Sequence, residues 1–394
     1  MHPLDAADPL AAYRDLFVPS EGLVAYLDGN SLGRPLVASG ERLARFTRDE
    51  WGGALIRGWD DGWLDLPLTL GDALGAHVLE AAPGQVAVAD STSVLIYKLV
   101  RAALEARPGR DEVVVDRGNF PSDRYIVEGI AADRGLTIRW IDPAPDAGVT
   151  PELVAAAVSE RTALGLFSSV AYRSGFVADV QAVTAQLHEV GALAMWDLCH
   201  SAGVVPTPLD EWGVDLAVGC GYKYLNGGPG APAFFYVRRQ LQGVLRQPIQ
   251  GWIGSRAPFE MGQGYEPADG IRGFLSGTPP ILAMQPLIDM VGLIAHVGLD
   301  ALRAKSVALT EYAIELVDEH LPEARIASPR DAARRGGHVT IDHHRFAELL
   351  PRLWAAGVIP DFRRPDGLRV GCSPLSTSFA EVEAGVLAIR AALA

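Results

Sequence analysis

Short apolar runs alternate with stretches of helical periodicity through the middle of this chain. Gln85–Asp90 reads as a strand, and Ser91–Ala106 after it as a helix whose start offers Ser91 to Ser93 as caps. Glu112–Asp116, Thr137–Ile141 and Thr162–Ser168 are strand-like, Pro151–Val158 is a short helix, and Asp179–Val190 is a helix closed by Gly191. Ala192–Asp197, Asp215–Cys220 and Ala233–Val237 are further strands. Several of these are apolar at every position rather than at every second one, the pattern of strands covered by helices on both faces. The alternation predicts an α/β domain built on a mainly parallel, mixed sheet.

From about Pro280 the pattern changes. A long helical stretch runs toward Leu321 with an interruption near Gly298, followed by a strand at His338–Asp342 and a helix near Phe346–Ala356. A strand at Leu368–Gly371 and a last helix from Ser378 complete the chain. This predicts a smaller α+β domain. The first fifty residues do not fit the central pattern, and the expected division is a large domain over 50–280 and a small one made of 1–49 and 281–394.

Charge narrows the class of partner. Acidic residues outnumber basic ones 48 to 34 in 394 residues, a formal net charge of −14. With no basic stretch, this argues against nucleic acid and anionic membranes. The longest uncharged run, Gly273 to Ile288, contains three prolines and is too short to span a bilayer. The start, MHPLDAADPL, has neither the basic nor the apolar region of a secretory signal. Cys199, Cys220 and Cys372 lack metal-ligand or CxxC spacing, so a cytoplasmic protein with no metal site is expected.

Of the 34 basic residues only Lys98, Lys223 and Lys305 are lysines. Arginine cannot form an imine, so these three are the side chains available to chemistry that needs an amine. Ligands of parallel α/β sheets bind at the carboxyl ends of the strands. One predicted strand ends on Ser91-Thr92-Ser93 and a helix N-terminus, suited to a phosphate. Another ends on Asp197, followed by His200. A third leads to Tyr222-Lys223-Tyr224 and the turn Asn226-Gly227-Gly228-Pro229-Gly230. Taken singly these are a helix cap, a strand-end carboxylate on a turn and a surface lysine. In this order they describe a cradle for pyridoxal phosphate: an anion seat, a carboxylate for the ring nitrogen and an amine for the aldehyde. The glycine turn lacks the GxGxxG spacing and the following helix of a dinucleotide site.

Five segments carry a more specific likeness: Leu27-Asp28-Gly29-Asn30-Ser31-Leu32-Gly33, Asn119-Phe120-Pro121-Ser122-Asp123, Trp196-Asp197-Leu198-Cys199-His200, Gly221-Tyr222-Lys223-Tyr224 and Ser276-Gly277-Thr278-Pro279. With them the chain resembles the kynureninase family, pyridoxal-phosphate enzymes of fold type I related to class V aminotransferases. The resemblance implies hydrolysis of L-kynurenine to anthranilate and L-alanine through an aldimine and a ketimine, in a homodimer with shared active sites. It makes Lys223 the residue that holds the cofactor, Asp197 the partner of its ring nitrogen and Tyr222 a proton relay. His200 supports the cofactor's oxygen or Asp197, and Phe120 stacks on the ring. Thr92, Ser93, Asp123 and Ser168 match further cofactor contacts, with Trp252 and Thr278 supplied by the neighbouring subunit. Arg369 and Ser31 fall to the substrate, Arg369 to its α-carboxylate. Trp59 and Gly277 stand at two positions that sort kynurenine from its ring-hydroxylated form. Family members tend to carry a histidine where this chain has Ser255. A cysteine desulfurase or aminotransferase, or a non-catalytic cofactor-binding regulator, are the alternative readings.

Overall fold

The computed structural model describes residues 2–394. In chain order its strands are β1 (Ala25–Leu27), β2 (Val86–Ala89), β3 (Glu112–Asp116), β4 (Thr137–Ile141), β5 (Thr162–Ser168) and β6 (Leu193–Asp197), then β7 (Leu216–Cys220), β8 (Ala233–Val237), β9 (Arg325–Ile326), β10 (His338–Asp342), β11 (Val358–Arg363) and β12 (Gly367–Gly371). They form a seven-stranded sheet in the order β2-β8-β7-β6-β5-β3-β4 and a five-stranded sheet in the order β1-β11-β12-β10-β9. In the larger sheet β3 to β7 pair in parallel, while β8 runs antiparallel to both its neighbours. The α/β fold with a mainly parallel mixed sheet is as the sequence predicts.

Successive residues of the central strands serve two different cores. Val86, Val88, Phe167, Trp196 and Phe234 face helices Leu66–Leu74, Val180–Glu189 and Ile281–Val297 through Leu74, Leu187 and Met284. Ala87, Ala89, Leu166, Met195 and Phe235 face helices Thr92–Glu105 and Pro121–Arg134 through Leu95, Leu99 and Val127. Each buried side chain of this size contributes roughly 1.5–3 kcal/mol, so both faces reward apolar residues and the strands lose their alternation.

The smaller sheet packs Ala25, Leu27, Val339, Val358, Leu368 and Val370 against helices Leu299–His320 and Phe379–Leu393. Its strands β1 and β11 escape the sequence reading. Val358–Arg363 contains Pro360 and Asp361 and is only half buried, and β1 is three residues long. The two pair in parallel, Ala25 opposite Val358. Gly298 separates the two long helices, which meet at 89°; its φ of 85° is one that L side chains rarely adopt. Among the described residues no single helix is long and apolar enough to cross a membrane.

Lys98, which the sequence places in a helix without special context, is fully buried. Its ammonium lies 2.9 Å from Asp90, which ends β2 in a left-handed turn. The pair fixes the turn that leads into helix Thr92–Glu105.

Candidate active site

Thr92, Ser93, Phe120, Asp123, Ser168, Asp197, His200, Tyr222 and Lys223 line one cavity of about 140 Å³ at the carboxyl ends of the parallel strands. Ser168 and Asp197 are direct register partners at the ends of β5 and β6. Ser91 occupies the N-cap of helix Thr92–Glu105 but, against expectation, its side chain makes no capping bond. Ser91, Thr92 and Ser93 line the cavity at this helix start, where the first amides have no intrahelical partner and can receive an anion.

The Asn119–Asp123 segment supplies one wall. Asn119 Oδ1 accepts the amide of Phe120 at 2.8 Å and the hydroxyl of Ser168 at 2.7 Å, pinning the turn to the end of β5. The Phe120 ring meets the edge of Tyr172 at 5.4 Å, and Lys223 Nζ stands 5.8 Å from its centre. Asp197 Oδ1 accepts the Cys199 amide at 2.6 Å. Asp123 is buried facing it, and burial together with the Asp197 charge pushes the Asp123 carboxyl far above the usual range. The Asp123 Oδ2 is without a protein partner.

Lys223 is buried, with Nζ 3.0 Å from His200 Nε2. Burial opposes its charge, but the negative charge available at Cys220, Cys199 and Asp197 outweighs burial and raises the amine above its ordinary value. Burial, followed by the charges of Lys223 and Arg369, drives His200 well below the ordinary imidazole range. A neutral His200 beside an ammonium fixes the roles: Nζ donates and Nε2 accepts. His200 therefore turns toward Lys223 rather than toward Asp197. Burial, then the neighbouring thiols, raise the phenol of Tyr222, which keeps its proton.

The Leu27–Gly33 segment locks onto the lysine loop. The Gly33 amide donates to Tyr222 O at 2.9 Å, and Asn226 Nδ2 donates to Arg34 O at 2.7 Å. A Cβ on Gly33 would stand 2.4 Å from Lys223 O, so only glycine fits there. Beside the cavity, buried Arg369 donates from Nη1 to Tyr172 O at 2.7 Å and from Nη2 to Ser31 Oγ at 2.6 Å. Burial lowers its pKa while Asp361 and Asp28 oppose that, and burial lifts Asp28 itself to about 6.

Besides Arg369 and Ser31, four residues of the sequence reading do not line this cavity: Trp59, Trp252, Gly277 and Thr278. Trp59 packs edge-on against Trp63 and stands 6.3 Å from Trp252 between ring centres. The loop with Gly277 and Thr278 lies next to them, through a bond from the Ile253 amide to Ser276 O. They form a second cluster. Ser255, with its own amide bonded to Trp252 O, belongs to that side.

Asp116, at the end of β3, is buried and adds to the negative charge felt by Asp123. Burial raises its carboxyl to about 7. The folded state then binds this proton more tightly than the unfolded chain, so the contribution of Asp116 to stability falls as pH rises from about 4 to 7. Asp116→Asn should therefore stabilise the protein increasingly over that window, by up to about 4 kcal/mol, and not at pH 4. Thermal melts at pH 5 and pH 8 check this; an equal shift at both counts against it.

Known proteins match this architecture. The sequence profile of the kynureninase C-terminal domain matches residues 302–389, and that of Cys/Met metabolism PLP-dependent enzymes residues 74–231. A kynureninase of Pseudomonas fluorescens is 42% identical over 96% of this chain and 91% of its own length. The chain belongs to the kynureninase family. A kynureninase of Burkholderia pseudomallei is 41% identical over 98% of this chain and 93% of its own. Solved structures share the fold at lower identity. A cysteine desulfurase of Thermococcus onnurineus NA1 superposes with a TM-score of 0.79 at 17% identity, covering 93% of this chain and 94% of its own. The desulfurase CsdA of Escherichia coli gives 0.80 at 17% identity over 98% of each chain. These superpositions show the fold, that of fold type I; the pyridoxal-phosphate class rests on the Cys/Met metabolism profile and the kynureninase relatives. In this chain all three cysteines are buried, so none is a thiol on an exposed loop.

The cavity fits the cofactor on its own chemistry. It offers a helix N-terminus for the phosphate, the facing carboxyl groups of Asp197 and Asp123 on one side, an aromatic wall and a buried amine. The sequence reading misses Asn119, Tyr172 and Asp361 as supports of the site. Asn119 opens a quoted motif, but Tyr172 and Asp361 sit in segments with no motif of their own.

Proposed function

We propose that the cavity around Lys223 carries this enzyme's activity, the pyridoxal-phosphate-dependent hydrolysis of L-kynurenine to anthranilate and L-alanine. The observation that carries the assignment is the convergence of Lys223, Asp197, Phe120 and the helix start at Thr92 on one cavity, with Arg369 beside it. Bound there, pyridoxal phosphate supplies a carbonyl that captures amines and a ring that takes up the electron pair released at the substrate's amino-acid carbon.

The chain does the rest. Thr92 and Ser93 bind the phosphate, with Trp252 and Thr278 completing its seat from a second subunit. Phe120 packs on the ring, Asp197 pairs with its nitrogen, and Ser168 and Asp123 hold its edge. Lys223 Nζ holds the cofactor and, once displaced by the substrate amine, carries the proton taken from Cα. Arg369, steadied by Ser31, grips the α-carboxylate through its planar fork. Cleavage between Cβ and the aryl carbonyl would consume one water: its hydroxyl goes to the carbonyl carbon, Tyr222 hands its proton to Cβ, and the proton released by the water restores the phenol.

Two copies are needed in this reading. The Trp59–Trp252 cluster is separate from the cavity, and Ile56 and Met261, in the segments flanking it, are about three-quarters exposed (76% and 74%). Pairing would cover them and bring the cluster to the partner's cavity. The domain division proposed is 50–280 for cofactor binding and 1–49 with 281–394 for Arg369, the latter docked through helix Ile281–Val297. No nucleic acid or membrane partner and a cytoplasmic setting belong to the same reading.

The test is release of anthranilate, read by its fluorescence, from L-kynurenine. The same assay addresses the aromatic ring of the substrate. Neither Trp59 nor Gly277 offers an oxygen or imidazole to an added hydroxyl, and an unpartnered buried hydroxyl costs roughly 1–3 kcal/mol. L-kynurenine should exceed 3-hydroxykynurenine in kcat/KM by about ten- to a hundredfold. A Cβ on Gly277 meets nothing within 4 Å, so Gly277→Ser is tolerated by the fold. Combined with Trp59→His it should narrow the preference. Equal use of both substrates by the wild type rules this out while leaving the activity intact.

A further inference from the structure

His338, on β10, is fully buried, yet neither ring nitrogen has a hydrogen-bond partner. Its ring lies 5.6 Å from that of His200, whose Nδ1 is likewise buried and unpartnered. Buried polar groups are rarely left so, because each costs about 1–3 kcal/mol. At this separation the nearest nitrogens of two imidazoles can come within roughly 3.3 Å, near hydrogen-bond reach after a small turn of either ring.

The protons follow from the surroundings. His200 Nε2 accepts from the Lys223 ammonium, so a neutral His200 carries its proton on Nδ1. That N–H needs an acceptor. Burial, with the charges of Arg369, Lys223 and Arg363, lowers His338 to about 3, so it is neutral and has one lone pair to offer. Also nearby is Tyr224, whose buried hydroxyl packs toward the Cα of Gly337 and has no partner. Gly175 packs against this strand: a Cβ there would stand 2.9 Å from the His338 carbonyl oxygen.

We propose that His338 is a positioning residue that accepts the Nδ1–H of His200 and so fixes the tautomer that presents Nε2 to Lys223. It does not touch the reacting atoms. The inference rests on the assignment of Lys223 as the cofactor's amine. It links the two sheets through one side chain, since β10 pairs with β12, where Thr340 stands opposite Arg369.

His338→Phe and His338→Gln, each loaded with pyridoxal phosphate, test this. Without the acceptor, His200 no longer favours a proton on the Lys223 nitrogen. The pH midpoint of the bound cofactor's visible absorbance should fall by about half a unit or more in His338→Phe. His338→Gln keeps an amide oxygen as acceptor and should titrate close to wild type. A His338→Phe midpoint equal to wild type, or a His338→Gln shift as large as that of His338→Phe, overturns the proposal. Should His338→Phe not fold, ring nitrogen-15 shifts of wild-type His200, assigned with His200→Asn, decide: a proton on Nδ1 is expected, and one on Nε2 overturns it. Absence of any borohydride-fixable cofactor at Lys223 would instead sink the Lys223 assignment.

Discussion

Lys223→Arg should abolish both the covalent hold on the cofactor and turnover. Arginine keeps the positive charge and can still donate to His200 Nε2, so the buried surroundings keep a cation at this position. It cannot be deprotonated and cannot form an imine. The loss covers a nucleophile and a proton carrier at once, and should reach about 10³-fold or more in kcat. The other two lysines cannot substitute. Lys98 is held by Asp90 and Lys305 by Asp8, each buried away from the cavity. Anthranilate release and borohydride reduction followed by peptide mapping give the answer. A reducible adduct in this variant sinks the assignment.

Arg369→Lys should raise KM for L-kynurenine by about a hundredfold and leave kcat within a few-fold. The guanidinium divides its donors between Tyr172 O and Ser31 Oγ, and Nε is buried with no partner. A substrate carboxylate completes that set. Lysine retains the charge that Asp361 and Asp28 require but offers a point instead of a fork, losing charge-assisted bonds of about 1.5–3 kcal/mol each. Arg369→Ala is the poorer test, because removing the cation leaves buried carboxylates unpaired and costs about 3–5 kcal/mol of stability. Steady-state kinetics separate the cases: an unchanged KM removes Arg369 from substrate binding, and a loss confined to kcat gives it another role.

The large sheet was legible because its strands are short, apolar and closed by turn residues, so local pattern and tertiary burial agree. The cavity was legible for a related reason: Ser168, Asp197 and the Lys223 loop all follow strand ends, where parallel sheets place ligands. What escaped is what depends on distant partners. β11 carries Pro360 and Asp361 and is a strand because β1 and β12 lie on either side of it. Asp361 matters because Arg369 is its neighbour across the sheet. His338 reads as one more strand residue until His200 appears beside it. Lys98 shows the converse: a buried lysine is no proof of chemistry, since its amine is spent on Asp90. The separate Trp59 cluster could not be located from spacing, because what it completes belongs to a second molecule in the proposed assembly.

The pairing of Ala25 with Val358 has a consequence for the growing chain. All seven strands of the large sheet have been made once residue 237 emerges, so that sheet can form while synthesis continues. β1, made among the earliest segments, has no neighbour until β11 arrives. At about 5–20 residues per second that wait lasts roughly 15–70 s. Through it the Leu27–Gly33 loop, which must clamp the backbone of the lysine loop, has no strand to anchor it. Assembly of the surroundings of Lys223 is thus tied to the synthesis of β11. A nascent chain arrested before β11 would hold a formed large sheet and a loose lysine loop, a species open to holding chaperones and to proteolysis within its first forty residues.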